Sequence, residues 1–188
     1  MSYLLMKRPF GDCSHQFQNG LEIGAANGRD MWHVNWSAPR LLRRISGDLN
    51  VQTVCMPAKD DRPAIGGLLL WEDENNYLRV DCGVLGRQEI TFMGCVDNQD
   101  AVIGRGRLYK AAERTFLRLE RTGDRVDALC SADGEQWYTV GQVTFPVDDP
   151  IQIGVHAIGK IDRTVYHGAY PEGTAIRFES FRLWKASG

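Results

Sequence analysis

Residues 64–84, AIGGLLLWEDENNYLRVDCGV, constrain the fold more than any other stretch of this chain. Gly66–Trp71 is short and apolar, and Glu72-Asp73-Glu74-Asn75-Asn76 contains no apolar residue. Residues 77–82 then alternate with period two, the mark of a strand with one buried face. A strand, a polar turn and a second alternating strand make a hairpin, and a hairpin needs further strands to be stable in water.

The rest of the chain supplies them. Short strand-like stretches recur at residues 21–23, 49–56, 89–96, 102–109, 115–121, 125–130, 136–144, 151–157 and 176–184. Turn signals separate them: Asn19-Gly20, Asn27-Gly28, Ser46-Gly47-Asp48, Asp97-Asn98, Gly123-Asp124 and Asp133-Gly134. Residues 1–18 read as a lead-in strand or arm. Pro39 argues for a loop or an edge position at 37–43. The stretch 107–114 (RLYKAAER) is the best candidate for a short helical turn. Roughly a dozen strands at short regular spacing predict an all-β, antiparallel two-sheet sandwich of jelly-roll type. The chain is expected to form one domain over residues 1–188.

Composition narrows the function classes. The net charge is −2 with both signs interspersed, so no nucleic-acid footprint is expected. No apolar run approaches a bilayer span, and the first residues lack the order of a signal peptide. The five cysteines, Cys13, Cys55, Cys82, Cys95 and Cys130, show no C-x-x-C spacing and fall largely in apolar segments. They read as buried free thiols, which suits a cytoplasmic protein, the alternative being one disulfide with thiols left over.

Several motifs carry a resemblance. Ala38-Pro39-Arg40-Leu41-Leu42-Arg43 followed by Ser46-Gly47-Asp48-Leu49, the hairpin from Gly67 to Arg79, Phe116-Leu117-Arg118-Leu119-Glu120-Arg121 with Asp133-Gly134-Glu135-Gln136-Trp137, and Phe178-Glu179-Ser180-Phe181-Arg182-Leu183 all contribute to it. Together they resemble a concanavalin A-like lectin/glucanase superfamily sandwich, in a domain-of-unknown-function family related to the β-xylosidase C-terminal module. The resemblance covers about residues 20–185 and implies an accessory or lectin-like sandwich with carbohydrate as the suspected ligand. Relatives often carry a structural Ca2+ held by acidic residues. Here Glu179-Ser180 stands where Asp-Asp is usual, and the expectation is no cofactor, with a structural Ca2+ as the alternative.

Alternation assigns the two faces. Leu68, Leu70, Leu78, Val80, Leu117, Leu119, Ile151, Ile153 and Val155 should face the opposing sheet. The opposite set contains Trp71, Arg79, Asp81, Arg118, Glu120 and His156. If their strands share one sheet, these six side chains form one concave surface. There a sugar ring could stack on Trp71 while the polar groups bind its hydroxyls. The alternative is a sheet face on which charges pair across strands. Trp32 and Trp36 are candidates for core packing with one at a rim, Trp137 for packing over its hairpin, and Trp184 for capping the end of the core. Tyr166, His167 and Tyr170, in the long loop 159–173, could cover the face.

Catalysis finds little support. Asp81 and Glu120 could be nominated as a carboxylate pair, but their separation decides any mechanism. The Glu-x-Asp-x-x-Glu pattern of laminarinase-type sandwiches is absent, as are G-x-S-x-G, Walker and H-E-x-x-H motifs. The histidines, His15, His33, His156 and His167, are scattered. The acidic turn 72–76 reads as a solvated hairpin tip rather than a cation site. The leading expectation is a non-catalytic, lectin-like module binding carbohydrate or a small polar ligand. The alternatives are a protein-interaction or regulatory domain, which would have a protein partner or neighbouring domain, and a glycoside-acting enzyme. Neither nucleic acid nor membrane is expected as a partner.

Overall fold

The computed structural model describes residues 5–7, 13–32, 34–109 and 113–185. His33 lies outside the described residues, as does the middle of the expected helical turn at 107–114. Arg107 ends a strand, and no helix occurs among the described residues.

The strands form two antiparallel sheets of seven. The first runs in the order β1 (Leu5–Lys7), β4 (Arg40–Ile45), β13 (Ile151–Ala157), β6 (Gly66–Trp71), β7 (Tyr77–Gly83), β8 (Gly86–Val96) and β9 (Gln99–Arg107). The second runs β12 (Tyr138–Thr144), β11 (Arg125–Ser131), β10 (Thr115–Thr122), β5 (Leu49–Pro57), β14 (Thr174–Lys185), β3 (Leu21–Ala25) and β2 (Ser14–Phe17). This is the all-β sandwich that the alternation implies.

The strands start and stop where the local chemistry dictates. The β8–β9 hairpin closes through Asp97 and Asn98, both with positive φ (49° and 62°), the pairing a two-residue type I′ turn requires. At the β6–β7 turn, Asp73 Oδ1 accepts the backbone N–H groups of Asn75 (2.7 Å) and Asn76 (2.8 Å), so the acidic tip is an Asx-type turn. Pro39 precedes a strand rather than placing one at an edge. Its carbonyl accepts the Ala157 N–H, and β4 begins one residue later, between β1 and β13. The proline therefore removes no ladder bond.

The core lies between the sheets. Leu68, Leu70, Leu78, Val80, Leu117 and Leu119 belong to one buried cluster, with Ile151, Ile153 and Val155 beside them. Each buried branched side chain contributes about 1.5–3 kcal/mol of transfer free energy. At one side of the sandwich β9 packs on β12, and Gly104 and Gly141 face each other there. A Cβ on Gly104 would run into the carbonyl of Val140, so the backbones meet where side chains are missing.

A second, smaller apolar cluster lies on the outer face of the first sheet. Leu42, Leu69, Trp71, Tyr77 and Cys95 rise from the strands, and Met31, Ala38, Ile158 and Tyr166 pack on them from two connecting segments. These segments, residues 26–39 and 158–173, form a roof. It is fastened by backbone bonds from Gly159 and Lys160 to the Arg29 carbonyl and from Ile158 to the Ile65 carbonyl. The Tyr166 hydroxyl also donates to the Gly83 carbonyl at the end of β7.

Candidate ligand-binding site

The structure divides the six expected site residues between two faces. Trp71, Arg79, Asp81 and His156 stand on the outer face of the first sheet. Arg118 and Glu120 stand on the outer face of the second, because β10 pairs with β5 and β11 rather than with β6 or β7. Asp81 and Glu120 thus lie on opposite sides of a sandwich whose sheets pack about 10 Å apart, and cannot flank one glycosidic bond.

Trp71 is not a free stacking platform. It is 4% exposed, stacked on Tyr77 at 5.4 Å and covered by the Arg40 guanidinium at 4.5 Å. Arg79, Asp81 and His156 are fully buried under the roof. Tyr166 and Tyr170 join the roof as expected, whereas His167 is exposed.

What the first sheet does present is a polar row. The register aligns Arg40, His156, Gly67, Asp81 and Thr91 directly across β4, β13, β6, β7 and β8. The row spans four strand spacings, about 19 Å. Arg79 stands one pleat along β7 and donates from Nη1 to Asp81 Oδ2 at 2.8 Å. Its Nη2 contacts Met93 Sδ at 2.8 Å, and Trp32 lies over it at 6.0 Å. His156 Nε2 lies 2.7 Å from Asp81 Oδ1, without the alignment of a hydrogen bond.

Buried polar atoms are ordinarily satisfied, because an unmade bond costs about 1–3 kcal/mol. On this face Arg40 Nε, Arg79 Nε, Thr91 Oγ1 and His156 Nδ1 are buried with no hydrogen-bond partner among the described residues. Unpartnered nitrogens and a hydroxyl thus lie along one row that holds a single carboxylate, under an aromatic cover.

Arg40, Thr91 and Gly67 were not singled out from the sequence. Arg40 was hidden by the loop reading of Pro39. Thr91 is an outward position of an alternating strand, a signal present in the sequence but shared with every other outward residue.

Glu179 and Ser180, which stand where the resemblance implies acidic Ca2+ ligands, are engaged otherwise. Glu179 pairs with Arg114 at 2.5 Å, and the Ser180 carbonyl accepts the Thr53 hydroxyl at 2.7 Å. No group of three or more metal-binding side chains occurs among the described residues.

On the second face, Arg118 lies flat on Trp137 at 3.8 Å and donates to Gln52 Oε1 (3.0 Å) and Glu120 Oε1 (3.3 Å). Trp137 is held over its hairpin, as expected, by its Nε1–H donating to the Gly134 carbonyl at 3.1 Å. Trp184 does not cap the core. Its register partner is Asn50, and it is 41% exposed on the outer face. A bulge at Glu179 is the cause: the register of β14 shifts between Phe178 and Ser180, so Phe178, Phe181 and Leu183 all turn inward and Trp184 turns out.

Two packed antiparallel sheets with a roofed outer face define a concanavalin A-like sandwich. Within that class, the chain belongs to the family described as "Protein of unknown function (DUF1349)", whose model matches residues 11–185. No curated protein matches the chain.

Among solved structures, it is similar to a functionally unknown protein from Saccharomyces cerevisiae, with 15% identity, a TM-score of 0.76 and coverage of 98% of this chain and 97% of that one. It is also similar to the GH43 BlXynB protein from Bacillus licheniformis (16% identity, TM-score 0.68), covering 87% of this chain and 32% of that one. A third likeness is to the carbohydrate-binding module CBM66 from Bacillus subtilis, at 11% identity and a TM-score of 0.59, covering 92% of this chain and 94% of that one. At these identities the likeness is one of fold.

Proposed function

We propose that this protein is a non-catalytic, lectin-like module that binds a carbohydrate against the polar row of the first sheet. The observation that carries the reading is the run of unmade hydrogen bonds at Arg40, His156, Arg79 and Thr91 along the row that holds the Asp81 carboxylate. A sugar hydroxyl donates and accepts at once, so a polyhydroxylated ligand matches a row that mixes guanidinium and imidazole nitrogens with a carboxylate and a hydroxyl. Gly67 leaves the middle of the row without a side chain, and Trp32 supplies an apolar surface above Arg79. The fold likeness to a module named for carbohydrate binding supports the same reading. Entry requires the roof to part beside Trp32, which is half-buried.

The test is a thermal-shift screen of the parent and Thr91→Val against a panel of mono- and oligosaccharides. Valine keeps the shape of threonine and removes the unpartnered hydroxyl, so the variant should melt at or above the parent temperature without sugar. The expected result is a sugar-dependent rise in the parent that Thr91→Val loses. A panel in which no sugar moves the parent would sink the reading.

A further inference from the structure

The outer face of the second sheet carries two polar rows of its own. Alternation on β5 and β10 stands Asn50, Gln52, Arg118 and Glu120 on this face, and the bulge in β14 adds Trp184. The register sets Trp184, Asn50, Glu120, Asp127 and Gln142 in one row across β14, β5, β10, β11 and β12. Arg182, Gln52 and Arg118 stand in the adjacent row.

This face differs from the first in being open. Trp184 is the exposed tryptophan among the described residues, and the Arg118 and Glu120 side chains are 22% and 35% exposed. Arg118 is already held in place by its stack on Trp137 and its bonds to Gln52 and Glu120. Even so, its Nε is buried without a partner, and so is Asn50 Oδ1 on the neighbouring strand. Arg118 and Asn50 are diagonal neighbours on adjacent strands, and one unmet donor with one unmet acceptor matches a hydroxyl group, which fills both roles.

Both signs are interspersed, with three guanidinium groups against two carboxylates. Arg118 and Arg182 are set against Glu120 and Asp127, and Asp127 is paired with Arg125 at 2.7 Å. A surface on which the carboxylates are each paired and a single positive charge is left over is no polyanion track, and it leaves a neutral chain free to bind. An exposed indole at one end gives a sugar ring a flat apolar face. The row of polar side chains that follows runs for about 19 Å, a length suited to an extended polymer rather than a single sugar.

We propose that this face binds a neutral polysaccharide, laid across the strands from Trp184 toward Asp127. The module would then have two ligand surfaces, a roofed row on one sheet for a small sugar and an open row on the other for a chain.

Affinity electrophoresis tests this with the whole protein in native gels containing arabinoxylan, mixed-linkage β-glucan or levan. The parent should be retarded in at least one gel. Trp184→Ala and Gln52→Ala change exposed or half-exposed side chains, so both should fold and migrate as in a gel without polysaccharide. Thr91→Val should remain retarded, which separates this surface from the roofed row. The proposal is overturned if none of the three polymers retards the parent, or if retardation survives both substitutions on the second sheet. It is also overturned if Thr91→Val abolishes retardation while Trp184→Ala does not, which would assign polymer binding to the first sheet.

Discussion

His156 and Asp81 stand on strands that are not neighbours, yet His156 Nε2 lies 2.7 Å from Asp81 Oδ1. The strand between them, β6, places Gly67 at the crossing. Gly67 has no side chain to stand between them. Arg79 completes the cluster from β7, so one carboxylate answers two nitrogen-bearing groups within a fully buried site.

Removing the carboxylate should therefore be costly. Asp81→Ala leaves the Arg79 guanidinium buried without its counter-charge, and a loss of about 3–5 kcal/mol is expected. The double variant Arg79→Met, Asp81→Leu removes both charges and should cost less than the sum of the single changes. Urea unfolding of the four proteins measures this, and additive losses would show that the pair is not coupled.

Gly67→Ala should destabilise the chain by about 1–3 kcal/mol or more, because overpacking is not relieved where the obstacle is backbone. The added methyl would meet the Val80 carbonyl and the Leu117 side chain. A denaturation midpoint equal to that of the parent would show that β6 shifts freely.

All five cysteines are free and buried. Burial pushes the Cys130 thiol up to about 11, and burial first, then the hydrogen bond with Cys82, holds Cys55 well above the ordinary value. A raised folded value means stability that is complete below the ordinary thiol value of 9.0 and lost as pH rises toward 11. Native protein should accordingly resist a thiol-specific disulfide reagent at neutral pH, and its melting temperature should fall between pH 9.0 and 11. A melting temperature that stays level over that interval contradicts the burial argument.

Acid should act through Asp149. Its carboxylate accepts Arg121 Nη1 and the Gly47 N–H, each at 2.7 Å, and these bonds hold its pKa below the usual 3.8. A depressed value means stability present above 3.8 and lost as pH falls through the folded value. The side chain is 37% exposed, so the contribution is screened and amounts to less than about 1 kcal/mol. Asp149→Asn should be slightly less stable than the parent at pH 7, and the gap should close once the parent's carboxylate is protonated. Paired melts across the acid range would show it.

The sequence made the hairpin of β6 and β7 legible because its alternation is uninterrupted, and the same period placed Leu117 and Ile153 in the core. It could not show which hairpins share a sheet. That depends on pairings between distant segments, such as β10 with β5 and β13 with β6. Arg118 and Glu120 were accordingly placed on the wrong face, although their outward direction was right. Trp184 was misread for another reason: continuing the alternation from Ile176 points it inward, and only the bulge at Glu179 reverses it. Most of the roof is not legible in the sequence because residues 26–39 have no period to read, being held by backbone bonds to Arg29, Asp30 and Pro39 rather than by a ladder.

The charges on β7 also act on the folding of the hairpin itself. Leu78 and Val80 alternate with Arg79 and Asp81, and both faces of this strand are covered. With an apolar layer on either side, hydrophobicity alone would hardly distinguish one alignment of the strand from its neighbour. A slip by a single residue would drive a guanidinium and a carboxylate between the sheets, at several kcal/mol for each ion, and lift two aliphatic side chains against the polar row. The buried charges thus serve as an address: they tell the strand which way up to enter the sandwich, whether or not a ligand ever arrives.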